Sequence, residues 1–187
     1  MDHFVIISGC SGGGKSSLLA ELARRGYATV SEPGRRIVTE ERAAGGNALP
    51  WINLAAFARR AIAMAVADRD AMRDRQGWVF FDRGLIDAAA ALERATARPA
   101  LAGLSAQHRY HSRVFLTPPW PDIYVADRDR PHDFGAAAAE YAQLRHAYVA
   151  LDYTIDLLPR ISVARRADYI LDRLGRQPFR GQSVNSL

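Results

Sequence analysis

At 187 residues, 49% hydrophobic and 24% charged, the chain is long enough for one substantial core and has an ordinary globular balance. The formal net charge of +5 suits an anionic partner but does not choose between polyphosphate and nucleic acid. The lone Cys10 excludes an internal disulfide framework, and no run approaches the ~18 apolar residues of a spanning helix, so the chain reads as cytoplasmic with no membrane contact.

The apolar run His3–Ser8 predicts a first strand. It leads directly into Gly9-Cys10-Ser11-Gly12-Gly13-Gly14-Lys15-Ser16-Ser17, which fits G-x-x-x-x-G-K-[ST] without a gap. Glycines at this spacing let successive N–H groups turn inward around an anion, and the helix predicted over Lys15–Arg25 adds the positive end of its dipole. Lys15 is placed to reach the β- and γ-phosphates, and the Ser16 hydroxyl to ligate Mg2+. Gly9–Ser17 is therefore the expected seat of a nucleoside triphosphate. A dinucleotide fingerprint, G-x-G-x-x-G, does not occur. Cys10 reads as a small filler residue, because no partner histidine lies near it.

Four more strands are predicted at Tyr27–Ser31, Trp78–Asp82, Ser112–Leu116 and Tyr153–Leu157. Val79-Phe80-Phe81 and Val114-Phe115-Leu116 lack alternation, as expected of strands covered on both faces. Helical stretches fall at about Gly34–Ala44, Leu54–Arg75, Leu85–Ala97, Ala136–Leu151 and Ser162–Leu174. This alternation predicts an α/β fold: a three-layer sandwich around a five-stranded parallel sheet, in a single domain over residues 1–174. Gly45-Gly46-Asn47 breaks a helix, and Pro118-Pro119-Trp120-Pro121 stops regular structure after the fourth strand. The tail, residues 175–187, is expected to be loosely ordered and receives no function.

The second strand ends in Ser31-Glu32-Pro33-Gly34-Arg35-Arg36 and the third in Phe80-Phe81-Asp82-Arg83-Gly84. A later segment reads Pro118-Pro119-Trp120-Pro121-Asp122-Ile123-Tyr124, then Asp127-Arg128-Asp129-Arg130. With the phosphate loop, these segments resemble a bacterial group of P-loop, AAA-type ATPase-like proteins related to the kinase domain of ribosylnicotinamide kinases. The resemblance spans about residues 3–174. A weaker likeness is to deoxynucleoside kinases, which carry Glu-Pro after the second strand and acidic-Arg-Ser after the third. Here Gly84 stands in place of that serine. The resemblance implies a P-loop nucleoside triphosphate hydrolase or nucleoside-kinase-like fold, and all three segments occupy carboxyl ends of predicted strands, where open α/β sheets bind ligands.

Glu32 is the candidate for orienting an acceptor hydroxyl and taking its proton; the bland alternative is an acid favoured by a helix N-terminus. Asp82, closing a Walker-B-like apolar strand, is the candidate Mg2+ ligand with Ser16, or else a strand-end cap. Arg83 and Arg35 are candidates for substrate or phosphate contact, and pairing with a neighbouring acid is the alternative. In related kinases the segment after the proline cluster is a lid, which the resemblance places at about 118–135. Arg128 and Arg130 would there offset charge on the transferring phosphoryl group, unless the segment is simply a solvated loop. In P-loop kinases the loop before the last helix touches adenine, which makes Arg165 or Arg166 a candidate for stacking on the base. Trp51, Phe57 and Met64 face the core or line a substrate cleft, while His108 and His111 show no metal-ligand pattern.

Together these residues predict a Mg-ATP-dependent kinase or kinase-like ATPase with a small, nucleoside-like acceptor. The alternative is an ATP or GTP switch with no acceptor, although Asn-Lys-x-Asp for guanine is absent. Nucleic acid is not an expected partner, because the arginines are scattered without an aromatic-studded basic strand.

Overall fold

The computed structural model describes residues 3–123 and 134–175. Five parallel strands form one sheet in the order β2-β3-β1-β4-β5: β1 Phe4–Gly9, β2 Ala28–Val30, β3 Val79–Asp82, β4 Arg113–Thr117 and β5 Thr154–Leu157. Register is set by pairs such as Ile6 with Phe81 and Ser8 with Leu116. Every residue of β1 and β3 is buried, because helices cover the sheet on both sides.

Side chains alternate through β1 to build two cores. Phe4 and Ile6 point into one, with Phe81, Leu116, Leu85, Ile86 and Tyr148. Val5 and Ile7 point into the other, with Phe80, Phe115, Leu18, Leu22 and Ile170. The first core lies under α3 Leu54–Ala71, α4 Leu85–Thr96 and α6 Phe134–Ala150; the second under α1 Lys15–Arg24 and α7 Val163–Leu174. Three layers result, as the alternation predicts.

Helix α2, Pro33–Ala44, starts on a proline whose missing N–H is no loss at that position, and stops at Gly45 with φ 65°. Helix α3 is capped by the Asn53 side chain, which accepts from Ala56 N at 3.0 Å. It ends at Ala71, short of the Arg75 that the periodicity suggests: a turn follows over Met72–Asp74, and Gly77 beyond it has φ 75°. A short helix absent from the sequence prediction, α5 Leu101–Gln107, follows Pro99; its seven residues are too few to show a helical period. After β4 a 3-10 turn at Pro121–Ile123 interrupts the proline segment. Arg128, Arg130 and most of the expected lid lie outside the described residues, as do residues 176–187 of the tail.

The sheet order puts β1 between β3 and β4, so the carboxyl ends of three central strands deliver Gly9, Asp82 and Thr117 to one edge. That edge holds the site.

Candidate active site

The phosphate loop is shaped by the close approach of β4. At Gly9 φ is 110°, and a Cβ there would collide with the Thr117 carbonyl oxygen; at Gly13 it would stand 2.6 Å from Thr117 Oγ1. The backbone N–H of Cys10 donates to Thr117 O at 2.9 Å. No side chain caps α1, whose first N–H groups thus remain available to a ligand. Lys15 is buried, and its Nζ donates to the loop's own Cys10 carbonyl at 2.9 Å. Burial, reinforced by the Arg83 charge, lowers its pKa. Cys10 has its thiol pushed up by burial, which keeps it protonated and fits a filler role. The loop and Lys15, Ser16 and Ser17 line a cavity of about 220 Å3, closed by Glu32, Arg35, Arg83 and Ile123.

Asp82 ends β3 at the side of this cavity. Its Oδ2 is 3.4 Å from Ser16 Oγ, while its buried Oδ1 has no hydrogen-bond partner. Burial pushes the carboxyl up to about 6, against the pull of Lys15. An orphaned carboxylate oxygen beside a serine hydroxyl is what a cation site needs. Among the described residues no group of three or more His, Cys, Asp or Glu gathers to cage a metal. The site fits Mg2+, which takes one or two protein oxygens and completes its shell with phosphate and water.

Arg83 is the hub of the edge. It has φ 60° and a nearly buried side chain. Its Nε lies 3.2 Å from Glu32 Oε1, and its Nη1 lies 2.9 Å from Glu140 Oε1 and 3.6 Å from Asp87 Oδ1. Nη2 donates to Gly9 O at 3.3 Å. Burial alone would lower its pKa, but Glu140, Glu32 and Asp87 reverse the sign and hold it charged. Burial likewise raises Glu140, yet Arg83 outweighs it and leaves that carboxyl below its ordinary value. Arg35 Nε sits 3.3 Å from Glu32 Oε2, so both arginines pair with the same acid.

Behind Arg83 lies a polar network that no sequence pattern announces. Asp87 accepts from the Gly84 N–H at 3.1 Å, from Tyr148 Oη at 2.7 Å and from Ser8 Oγ. It ties β1, α4 and α6 together. Isolated acids within helices carry no spacing signature; only the three-residue step from Gly84 to Asp87, a helix-capping interval, hints at it.

Next to the phosphate cavity is a larger one of about 360 Å3, walled by Trp51, Leu54 and Phe57 on one side and by Ala88, Ala91 and Ala137 on the other. Ser11, Glu32, Arg35 and Arg83 line both cavities. Trp51 and Phe57 therefore line a cleft, whereas Met64 packs against the cluster around Ile37 and Ala61. Arg165 is exposed and Arg166 is buried, its Nη1 donating to Gly13 O of the phosphate loop at 3.1 Å.

A family model described as an AAA domain matches residues 4–166. The chain belongs to this family. Among solved structures, the NadR protein in complex with NR superposes on this AAA-domain chain with a TM-score of 0.71 at 19% identity, covering 94% of this chain and 52% of that one. The chain thus spans about half the length of that relative. A deoxyadenosine kinase from M. mycoides with bound dATP gives a TM-score of 0.58 at 13% identity, covering 91% and 98% of the two chains. Shikimate kinase from Acinetobacter baumannii in complex with shikimate gives 0.54 at 16%, covering 91% and 92%. No curated protein matches the chain. At these identities the likeness shows the fold, a P-loop kinase-like one. No helix among the described residues is long and apolar enough to cross a membrane.

Proposed function

We propose that this AAA-domain chain is a Mg-ATP-dependent phosphotransferase that moves a γ-phosphoryl group to a hydroxyl of a small, nucleoside-like acceptor. The observation that carries this reading is the junction of the two cavities: an apolar chamber opens beside the phosphate loop, and Glu32, Arg35 and Arg83 stand at the opening. A switch without an acceptor has no use for such a chamber.

Lys15 would turn from the Cys10 carbonyl to the β- and γ-phosphates, while the loop N–H groups hold the phosphate oxygens. Ser16 and Asp82 would hold Mg2+, which when bound neutralises phosphate charge. Glu32, fixed by two guanidinium groups, orients the acceptor hydroxyl and receives its proton as the new O–P bond forms and the bond to ADP breaks. Arg83 and Arg35 line the phosphate cavity and would offset charge as it develops on the transferring group. Arg128 and Arg130 of the expected lid are proposed to offset the same charge from above.

The test is incubation with γ-labelled ATP and a panel of nucleosides and other small alcohols. Transfer to at least one is expected, with Glu32→Gln lowering the rate about 100-fold or more while Mg-ATP still binds. Lys15→Ala should abolish Mg-ATP uptake in calorimetry. ATP consumption by water alone, unchanged in Glu32→Gln, would remove the acceptor from the reading.

A further inference from the structure

We propose that Arg166 is a positioning residue for the nucleotide: its guanidinium, buried against the Gly13 carbonyl and outside the lining of the phosphate cavity, acts through the phosphate loop as counter-ion to the bound polyphosphate. This rests on nucleotide binding at the loop but on neither phosphoryl transfer nor an acceptor.

Arg166 projects from the first turn of α7 and is 4% exposed. Its Nη1 donates to the Gly13 carbonyl at 3.1 Å, and its Nη2 lies 2.9 Å from where a Cβ on Gly14 would stand. The guanidinium carbon sits 5.6 Å from the centre of the Trp120 ring. Its Nε is buried with no hydrogen-bond partner. Among the described residues no carboxylate pairs with it: its contacts are a neutral carbonyl and an indole.

Burying a cation in that way is costly, and buried charges in proteins are paired or bound to a ligand. The contrast with Arg83 is direct, since that guanidinium has three carboxylates around it. Burial lowers the Arg166 pKa with no acid to oppose it. The anion that belongs beside the loop is the one the loop itself is shaped to cradle. A glycine at position 14 is needed for this approach: φ there is 76°, and any side chain would meet the guanidinium. The guanidinium faces the Trp120 ring and is almost wholly withdrawn from solvent, which strengthens the attraction across the loop.

The experiment is calorimetry of Mg-ATP, magnesium tripolyphosphate and adenosine with the wild-type chain, Arg166→Met and Arg166→Lys, alongside melting of each protein without ligand. Arg166→Met should bind ATP and tripolyphosphate about 10- to 100-fold more weakly, both by the same factor. Its adenosine affinity should be unchanged, and its ligand-free melting temperature equal to or above that of wild type, because an unpaired buried cation has been removed. Arg166→Lys should fall between the two in phosphate affinity. A purely structural arginine would give the reverse: Arg166→Met melting lower while binding both phosphates as wild type does. Equal tripolyphosphate affinity in wild type and Arg166→Met overturns the proposal whatever the melting temperatures. Failure of wild type itself to bind either phosphate compound overturns the nucleotide reading instead.

Discussion

Asp82 shows how a single carboxyl reports on the site. Burial keeps its folded pKa at about 6, above the ordinary aspartate value of 3.8. Between those values the folded chain holds a proton that the unfolded chain has released, so this group's contribution to stability falls as pH rises through the interval. Asp82→Asn removes both the cost and its pH dependence. The variant should be more stable than wild type above pH 7 by up to roughly 3 kcal/mol, with the difference vanishing near pH 4. Denaturant melts of both proteins across that range check it; a constant difference would place Asp82 in a solvated setting. The same variant should lose magnesium-dependent ATP binding, the exchange of function for stability expected at a strained site. Asp82 was legible in the sequence because an apolar run ends on it. Ser8, Asp87 and Glu140 were not, because each acquires its role only when the fold brings it to Arg83 or to its neighbours.

At the scale of elements, strands announced themselves better than their surroundings. The five predicted runs fall within two residues of the observed strands, since unbroken apolar runs suit a sheet covered on both faces. Helix α5 and the early end of α3 were hidden, as short helices and frayed ends depend on tertiary packing more than on period. Helix α6 has a job its composition conceals. Its apolar residues show almost no helical stripe, yet Glu140 and Tyr148 reach Arg83 and Asp87 on the sheet edge. The phenol of Tyr148 is fully buried, and the Asp87 carboxylate it serves is raised by burial and opposed by Arg83. Tyr148→Phe should cost about 1–3 kcal/mol by leaving one Asp87 oxygen with a lost donor. Calorimetric melting measures that loss, and an unchanged melting temperature would show that the network carries no stability.

For the molecule as a whole, the sheet order makes the division of labour. Placing β1 between β3 and β4 brings the phosphate loop, Asp82 and Thr117 together, while α2, α3, α4 and α6 enclose the second chamber. The sequence revealed the first half, because phosphate binding uses backbone and a fixed spacing. The second half stayed out of reach, because a cavity wall is drawn from helix faces whose rotation a sequence does not fix. This separation is testable in one variant. Ala91 lines the large chamber and not the phosphate cavity. Ala91→Trp would fill much of the roughly 360 Å3 there, leaving the loop untouched. Transfer of labelled phosphate to any acceptor should then drop about 100-fold or more, with Mg-ATP affinity within about twofold of wild type. Loss of both together would mean that the two chambers are one site, occupied by the nucleotide alone, and would favour the switch over the kinase.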